Sequence, residues 1–118
     1  MVGVTGGYSL YRNASTEWLS IDAVDADGNL RDSSLGGNQY PITGTYDEAT
    51  SALTFRAGGI DGRGEGNLFV SHYTGYPILD GDGNITVLAG TYTEFVIKLN
   101  PFGYVSELGG WYAIPGME

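Results

Sequence analysis

The chain has 118 residues, no Cys, 20 Gly, 9 Tyr, and 14 acidic against 5 basic side chains, for a formal net charge of −9. Without sulfur, a disulfide scaffold, a thiolate metal site and Cys-based catalysis are excluded, because each needs a thiol. Arg12, Arg31, Arg56, Arg63 and Lys98 stand far apart, so the clustered cations that grip phosphates are missing and no nucleic-acid partner is expected.

No apolar run reaches the roughly 20 residues that span a bilayer, and the first residues carry neither a basic segment nor an apolar leader core, so no membrane partner is expected. The sequence fits a cytoplasmic protein or a secreted one whose leader has been removed. A single domain over residues 1–118 is the expectation at this length. Glycine stands at more than twice its usual share of about 7%. Even so, 42% hydrophobic and 13% aromatic residues supply the apolar area that disordered chains lack. Glycine is therefore read as punctuation between short strands.

In chain order, Val2 to Tyr11 places Val4, Tyr8 and Leu10 at even positions, the period of a strand with one buried face. Arg12-Asn13-Ala14-Ser15 reads as a turn. From Glu17 to Val24, Leu19, Ile21 and Ala23 share a side, with a short helix capped by Ser15 as the rival reading. Asp25-Ala26-Asp27-Gly28-Asn29 predicts a hairpin, since Asp-Gly and Gly-Asn accept the positive φ of tight turns. A polar connection over 33–38 leads to a strand over 39–46, a turn over 47–51, and a strand over 52–56. Residues 58–66 hold five Gly and predict a flexible loop. Next comes a strand over 67–76, with Phe69, Ser71, Tyr73 and Gly75 opposed to Leu68, Val70, His72 and Thr74. Asp80-Gly81-Asp82-Gly83-Asn84 repeats the hairpin chemistry. Residues 85–99 form one bent strand or two, a turn is expected at Pro101-Phe102-Gly103, and a last strand over 109–114. Seven or eight short strands without crossover helices predict an all-β antiparallel meander, closed as an up-and-down β-barrel of about eight strands, with a β-sandwich as the alternative.

Four phrases are related: Val4-Thr5-Gly6-Gly7-Tyr8, Ile42-Thr43-Gly44-Thr45-Tyr46, Leu88-Ala89-Gly90-Thr91-Tyr92 and Gly109-Gly110-Trp111-Tyr112. A glycine inside a strand permits a bend, and an aromatic side chain can cover the gap it leaves. These phrases resemble the Gly-x-aromatic strands of the avidin and streptavidin family, which are eight-stranded up-and-down barrels within the lipocalin-like (calycin) group. The resemblance implies the barrel fold. That family's opening strand continues from Gly-x-Trp into a biotin-contacting Asn, whereas here Tyr8 is followed by Ser9 and Leu10. The biotin-contacting residues are not matched, and the resemblance implies no binding residue here.

The two acidic turns invite a calcium reading. Counting from Gly28 or Gly83 as the sixth loop position, however, puts Ala23 or Ile78 first and Ser34 or Ala89 last, where oxygen ligands are required, so no metal site and no cofactor are expected. His72 is the one His, so any imidazole mechanism must use it, with Glu65 or Glu94 as formal partners. Asn13-Ala14-Ser15 and Asn84-Ile85-Thr86 match glycosylation sequons. The aromatic set is the more informative: Tyr8, Tyr46, Tyr73, Tyr92 and Trp111 are the candidate ligand-binding residues, because Tyr offers a flat apolar wall with a hydroxyl for orientation. The expectation is a non-catalytic barrel binding a small molecule or a sugar. A small isomerase- or lyase-type barrel enzyme using His72 or a carboxylate, and a module that assembles as a homo-oligomer through an aromatic face, are the alternatives.

Overall fold

The computed structural model describes residues 3–13, 15–37, 39–60, 68–99 and 102–116. Among these residues there is no helix, and the strands are β1 (Gly6–Arg12), β2 (Ser15–Ile21), β3 (Ala23–Val24), β4 (Leu30–Arg31), β5 (Ser34–Leu35), β6 (Tyr40–Asp47), β7 (Ala52–Ile60), β8 (Leu68–Leu79), β9 (Ile85–Leu99) and β10 (Phe102–Pro115). Eight of them close an antiparallel barrel in the order β1-β10-β9-β8-β7-β6-β5-β2, while β3 and β4 pair as a separate ribbon. The all-β barrel read from strand spacing is the observed fold.

Period-two alternation decides which side chains enter the barrel. Leu10, Leu19, Leu53, Phe55, Tyr73, Leu88, Tyr92, Trp111 and Ala113 are buried, and their sequence neighbours point outward. Strand register stacks these inner residues in rows. Glu107, Glu94, Ser71, Ala57 and Ile42 lie across one row; Gly109, Tyr92, Tyr73, Phe55 and Gly44 across the next; Trp111, Gly90, Gly75, Leu53 and Tyr46 across a third. The interior therefore passes from a polar row, through an aromatic row, to a row in which two adjacent glycines make room for an indole.

That third row explains the Gly-x-aromatic repeat. A Cβ on Gly90 would stand 1.8 Å from the Thr74 carbonyl oxygen, and one on Gly75 would meet the Trp111 ring at 2.6 Å. The indole lies across both glycines and donates its Nε1–H to the carbonyls of Thr91 at 3.0 Å and Thr74 at 3.3 Å. The cover for Gly90 thus comes from the neighbouring strand, not from Tyr92 two positions on. On the outer surface the Trp18 ring fills the equivalent space over Gly7.

Both acidic hairpins form as expected and share one geometry. In each, the first Asp carboxylate accepts from two backbone amides, those of Asp27 and Asn29 at 2.9 Å, and those of Asp82 and Asn84 at 2.8 and 3.0 Å. Gly28 and Gly83 take φ of 87° and 84°.

Residues 15–21 are a strand, as expected, and the rival helix does not form, because alternate burial of Leu19 and Ile21 against the barrel outweighs a two-turn helix with one cap. Other local readings are corrected. The connection over 33–38 contains the barrel strand β5, two residues whose pairing with β2 and β6 is set by tertiary contact. β7 runs on through Gly58 and Gly59 to Ile60, since the paired strand β8 supplies hydrogen-bond partners that local composition cannot reveal. The rest of the expected glycine loop, 61–67, lies outside the described residues. The last strand, expected over 109–114, instead begins at Phe102, inside the turn expected at Pro101-Phe102-Gly103, and its fourteen residues pair with β9 from Leu99 back to Leu88.

Candidate functional site

Arg12 ends β1 at an even position, so it follows Tyr8 and Leu10 into the barrel. It was read as a turn residue; strand pairing of Arg12 with Trp111 on one side and Ser15 on the other keeps the backbone extended instead. Its guanidinium is 13% exposed and sits over the rings of Tyr92, at 4.9 Å from the centroid, and Tyr73, at 5.9 Å. A cation over an aromatic face is attracted by the ring quadrupole. The rings beneath form a continuous wall: Phe55 and Tyr73 stack at 4.7 Å, Tyr73 and Tyr92 at 5.8 Å, and Trp111 meets Tyr73 edge-on at 5.9 Å.

Three carboxylates surround this cation. Glu94 accepts from Arg12 Nη2 at 2.9 Å and from the Ser71 hydroxyl at 2.7 Å. Glu17 approaches Arg12 Nε at 3.6 Å, close enough for an ion pair and too far for a hydrogen bond. Glu107 stands directly across from Glu94, where like charges repel, and is relieved by the Tyr92 hydroxyl, which donates to it.

Electrostatics follow from this arrangement. Burial pushes the Glu17 carboxyl above the ordinary range, and Arg12 offsets that only in part. Burial likewise raises the Tyr73 hydroxyl. Burial, the largest influence, would lower the Arg12 guanidinium, but its hydrogen bond to Glu94 and the attraction of Tyr73, Glu94 and Glu17 together outweigh it and the net direction is up. The Tyr92 hydrogen bond holds Glu107 below its usual value. Four buried polar atoms make no hydrogen bond within the described residues: Nε and Nη1 of Arg12, Oε2 of Glu17 and the Tyr73 hydroxyl. Each such atom costs roughly 1–3 kcal/mol if nothing satisfies it.

The five residues expected to bind a ligand divide into two groups. Tyr73, Tyr92 and Trp111 come together in the wall beneath Arg12. Tyr8 and Tyr46 are neighbours elsewhere in the core, where burial first and Tyr46 second push the Tyr8 hydroxyl up to about 12; that hydroxyl donates to the Val4 carbonyl at 2.7 Å. Their hydroxyls do not converge with that of Tyr92. Sequence reasoning missed Arg12, Glu17, Ser71 and Glu107. The signal for Arg12 and Glu17 is alternation itself, extended two residues past Leu10 and two residues before Leu19.

His72 lies on the outer face between Arg56 and Thr93, exposed, on the opposite side of the sheet from Glu94. The His72–Glu94 pairing does not form; Glu65 lies outside the described residues. Among the described residues no group of three or more His, Asp or Glu is placed to hold a metal ion. A cleft of about 480 Å3 lies between the first acidic hairpin and the turn after β6. Another, of about 320 Å3, is lined by Arg12 and Asn13 beside the stacked rings of Tyr11 and Tyr112.

No protein-family model matches the sequence, and no curated protein matches it. Two solved structures are similar. The crystal structure of a rhizavidin–biotin complex superposes with a TM-score of 0.55 at 17% identity, covering 98% of this chain and 99% of that one. The crystal structure of rhizavidin superposes with a TM-score of 0.54 at 17% identity, covering 98% and 87%. The chain is thus an eight-stranded antiparallel barrel of the avidin-like fold, and the likeness is one of fold.

Proposed function

We propose that residues 1–118 form a non-catalytic binding protein that holds a small, neutral, polar ligand inside the barrel at its Arg12 end. The observation that supports this reading is the set of buried atoms on Arg12, Glu17 and Tyr73 that lack a hydrogen bond, gathered over the Tyr73–Tyr92 wall. Arg12 and the Tyr73 hydroxyl present donors, and Glu17 presents an acceptor. A ligand with a carbonyl beside an N–H, an amide or a urea, satisfies both at once, and a flat one also stacks on the wall. An anion is disfavoured, because Glu17, Glu94 and Glu107 outnumber the single cation.

The fold is that of a protein crystallised with biotin, and biotin contains a urea, so biotin is the first probe. Leu10 stands where that family's opening strand carries its Asn, so the polar contacts here come from other residues.

The test is thermal shift and calorimetry with biotin, cyclic ureas, small amides and simple sugars. A bound ligand at 100 times its Kd stabilises the fold by about 2.7 kcal/mol. The expected result is a positive shift with a urea or amide that Arg12→Met and Tyr73→Phe each weaken by tenfold or more. No shift with any probe, or a shift indifferent to both substitutions, overturns the reading.

A further inference from the structure

We infer that the outer face of β6–β9 binds the phosphate or sulfate group of a small molecule at a site built on Arg56 and His72. Register sets Thr43, Arg56, His72 and Thr93 side by side across the four strands, and the next row is threonine on every strand, from Thr45 on β6 to Thr91 on β9. These side chains are all exposed. Arg56 and His72 line a cleft of about 340 Å3 together with Thr43, Thr45 and Thr54. Small-ligand sites begin at roughly that size, about 300 Å3.

Charge selects the occupant. Acidic side chains outnumber basic ones 14 to 5, and Arg12 and Arg31 are each held by a carboxylate. Arg56 has no ion pair or hydrogen bond among the described residues. Around His72 the outward neighbours are Arg56, Thr54 and Gly58 on β7 and Thr91, Thr93 and Phe95 on β9, with Val70 and Thr74 beside it on β8, so the one charged neighbour is a cation. Glu94 is on the inner face. Asp47, the one outward carboxylate described on these four strands, lies two rows away and accepts from the Ala49 amide at 2.9 Å. Two cations directly opposite each other on adjacent strands repel, and an anion bridging them turns that repulsion into attraction. The donors also exceed what a carboxylate can accept. The guanidinium fork offers two parallel N–H groups, the imidazolium another and the threonine hydroxyls more, which suits the three terminal oxygens of a phosphate or sulfate ester. An extended polyanion or an anionic bilayer reaches past the patch and is repelled by the net charge of −9. A small anion stays within about one screening length, roughly 8–10 Å, of both cations.

This site is on the opposite side of the sheet from the interior cluster, where an anion is disfavoured, so the two readings stand or fall separately. His72 is the one histidine, and its ring protons give an unambiguous NMR signal. The full chain is titrated with sodium sulfate, with glucose 6-phosphate, and with sodium chloride at matched ionic strength, beside Arg56→Gln and His72→Gln. Both positions face solvent, so each variant keeps the wild-type thermal unfolding. The expected result is a saturable movement of the His72 signals with sulfate and with glucose 6-phosphate but not with chloride, weakened at least tenfold by Arg56→Gln. Sulfate keeps its charge between pH 5 and 8 whereas an ordinary imidazole gains its own there, so calorimetry should give sulfate binding at least fivefold tighter at pH 5 than at pH 8, and His72→Gln should abolish that difference. A movement that chloride reproduces overturns the inference, as does an affinity indifferent to Arg56→Gln or a pH dependence that survives His72→Gln. Sedimentation with phosphatidic acid vesicles, without a response to either soluble probe, overturns it in favour of a lipid headgroup.

Discussion

Glu17 is where burial and charge compete most openly. Its side chain enters the barrel beside Arg12 at a distance that leaves Oε2 without a hydrogen bond, and desolvation outweighs the attraction. The folded state therefore favours the protonated carboxyl more than the unfolded chain does. The associated stability is fully present below the ordinary Glu pKa of about 4.3 and is lost as pH rises through the elevated folded value. Glu17→Gln fixes the neutral form. It should raise Tm by a few degrees at pH 7 and leave it unchanged near pH 3. Melting curves across that range check this, and an equal difference at both ends would contradict it. The same substitution keeps a hydrogen-bond acceptor at the site, so it separates a stability effect from loss of binding.

At the scale of elements, the two acidic hairpins form a natural comparison, because they share sequence pattern, amide contacts and backbone angles but differ in surroundings. Gly83 takes φ of 84° with nothing within 4 Å of an added Cβ, whereas Gly28, at 87°, would place one 2.8 Å from the Tyr46 carbonyl. Gly28 also accepts at its own carbonyl from the Tyr46 amide at 2.8 Å, which pins the β3–β4 ribbon to β6. Gly83→Ala should cost only the left-handed backbone penalty, about 1–2 kcal/mol. Gly28→Ala adds a clash with main chain and should cost at least 1 kcal/mol more. Urea unfolding of the two variants gives the order directly, and equal losses would show that the docking to β6 carries no weight. These turns were legible because Asp-Gly and Gly-Asn act locally. β5 was not, since two residues have no periodicity and Ser34–Leu35 is a strand only because β2 and β6 flank it. Of the site, the aromatic wall could be read from Tyr and Trp at strand-interior positions. Arg12 and Glu17 were marked only by alternation continued from Leu10 and Leu19, a signal that the turn chemistry of Arg12-Asn13-Ala14-Ser15 outweighs unless the partner strands are known.

For the whole molecule, closure joins the two ends of the chain. β1 pairs with both β2 and β10, so residues 8–12 are held by residues 111–115. Most of the barrel consists of neighbouring antiparallel hairpins, and this one long-range seam completes it. The seam also brings Arg12 against Trp111, which is why the polar cluster exists only in the closed form. The molecule extends 52 Å along its longest axis and 25–28 Å across, in keeping with β9 and β10 being twice as long as β1 and β2. The indole that spans the two facing glycines has an optical consequence. The chain has two tryptophans, one half-buried on the outside at Trp18 and one in the interior at Trp111. Trp18→Phe leaves an emission that originates wholly from within the barrel, a few ångströms from the rings that Arg12 covers. Such a protein should fluoresce at short wavelength and respond to occupancy of the interior, so a titration followed by emission checks whether a ligand enters the barrel.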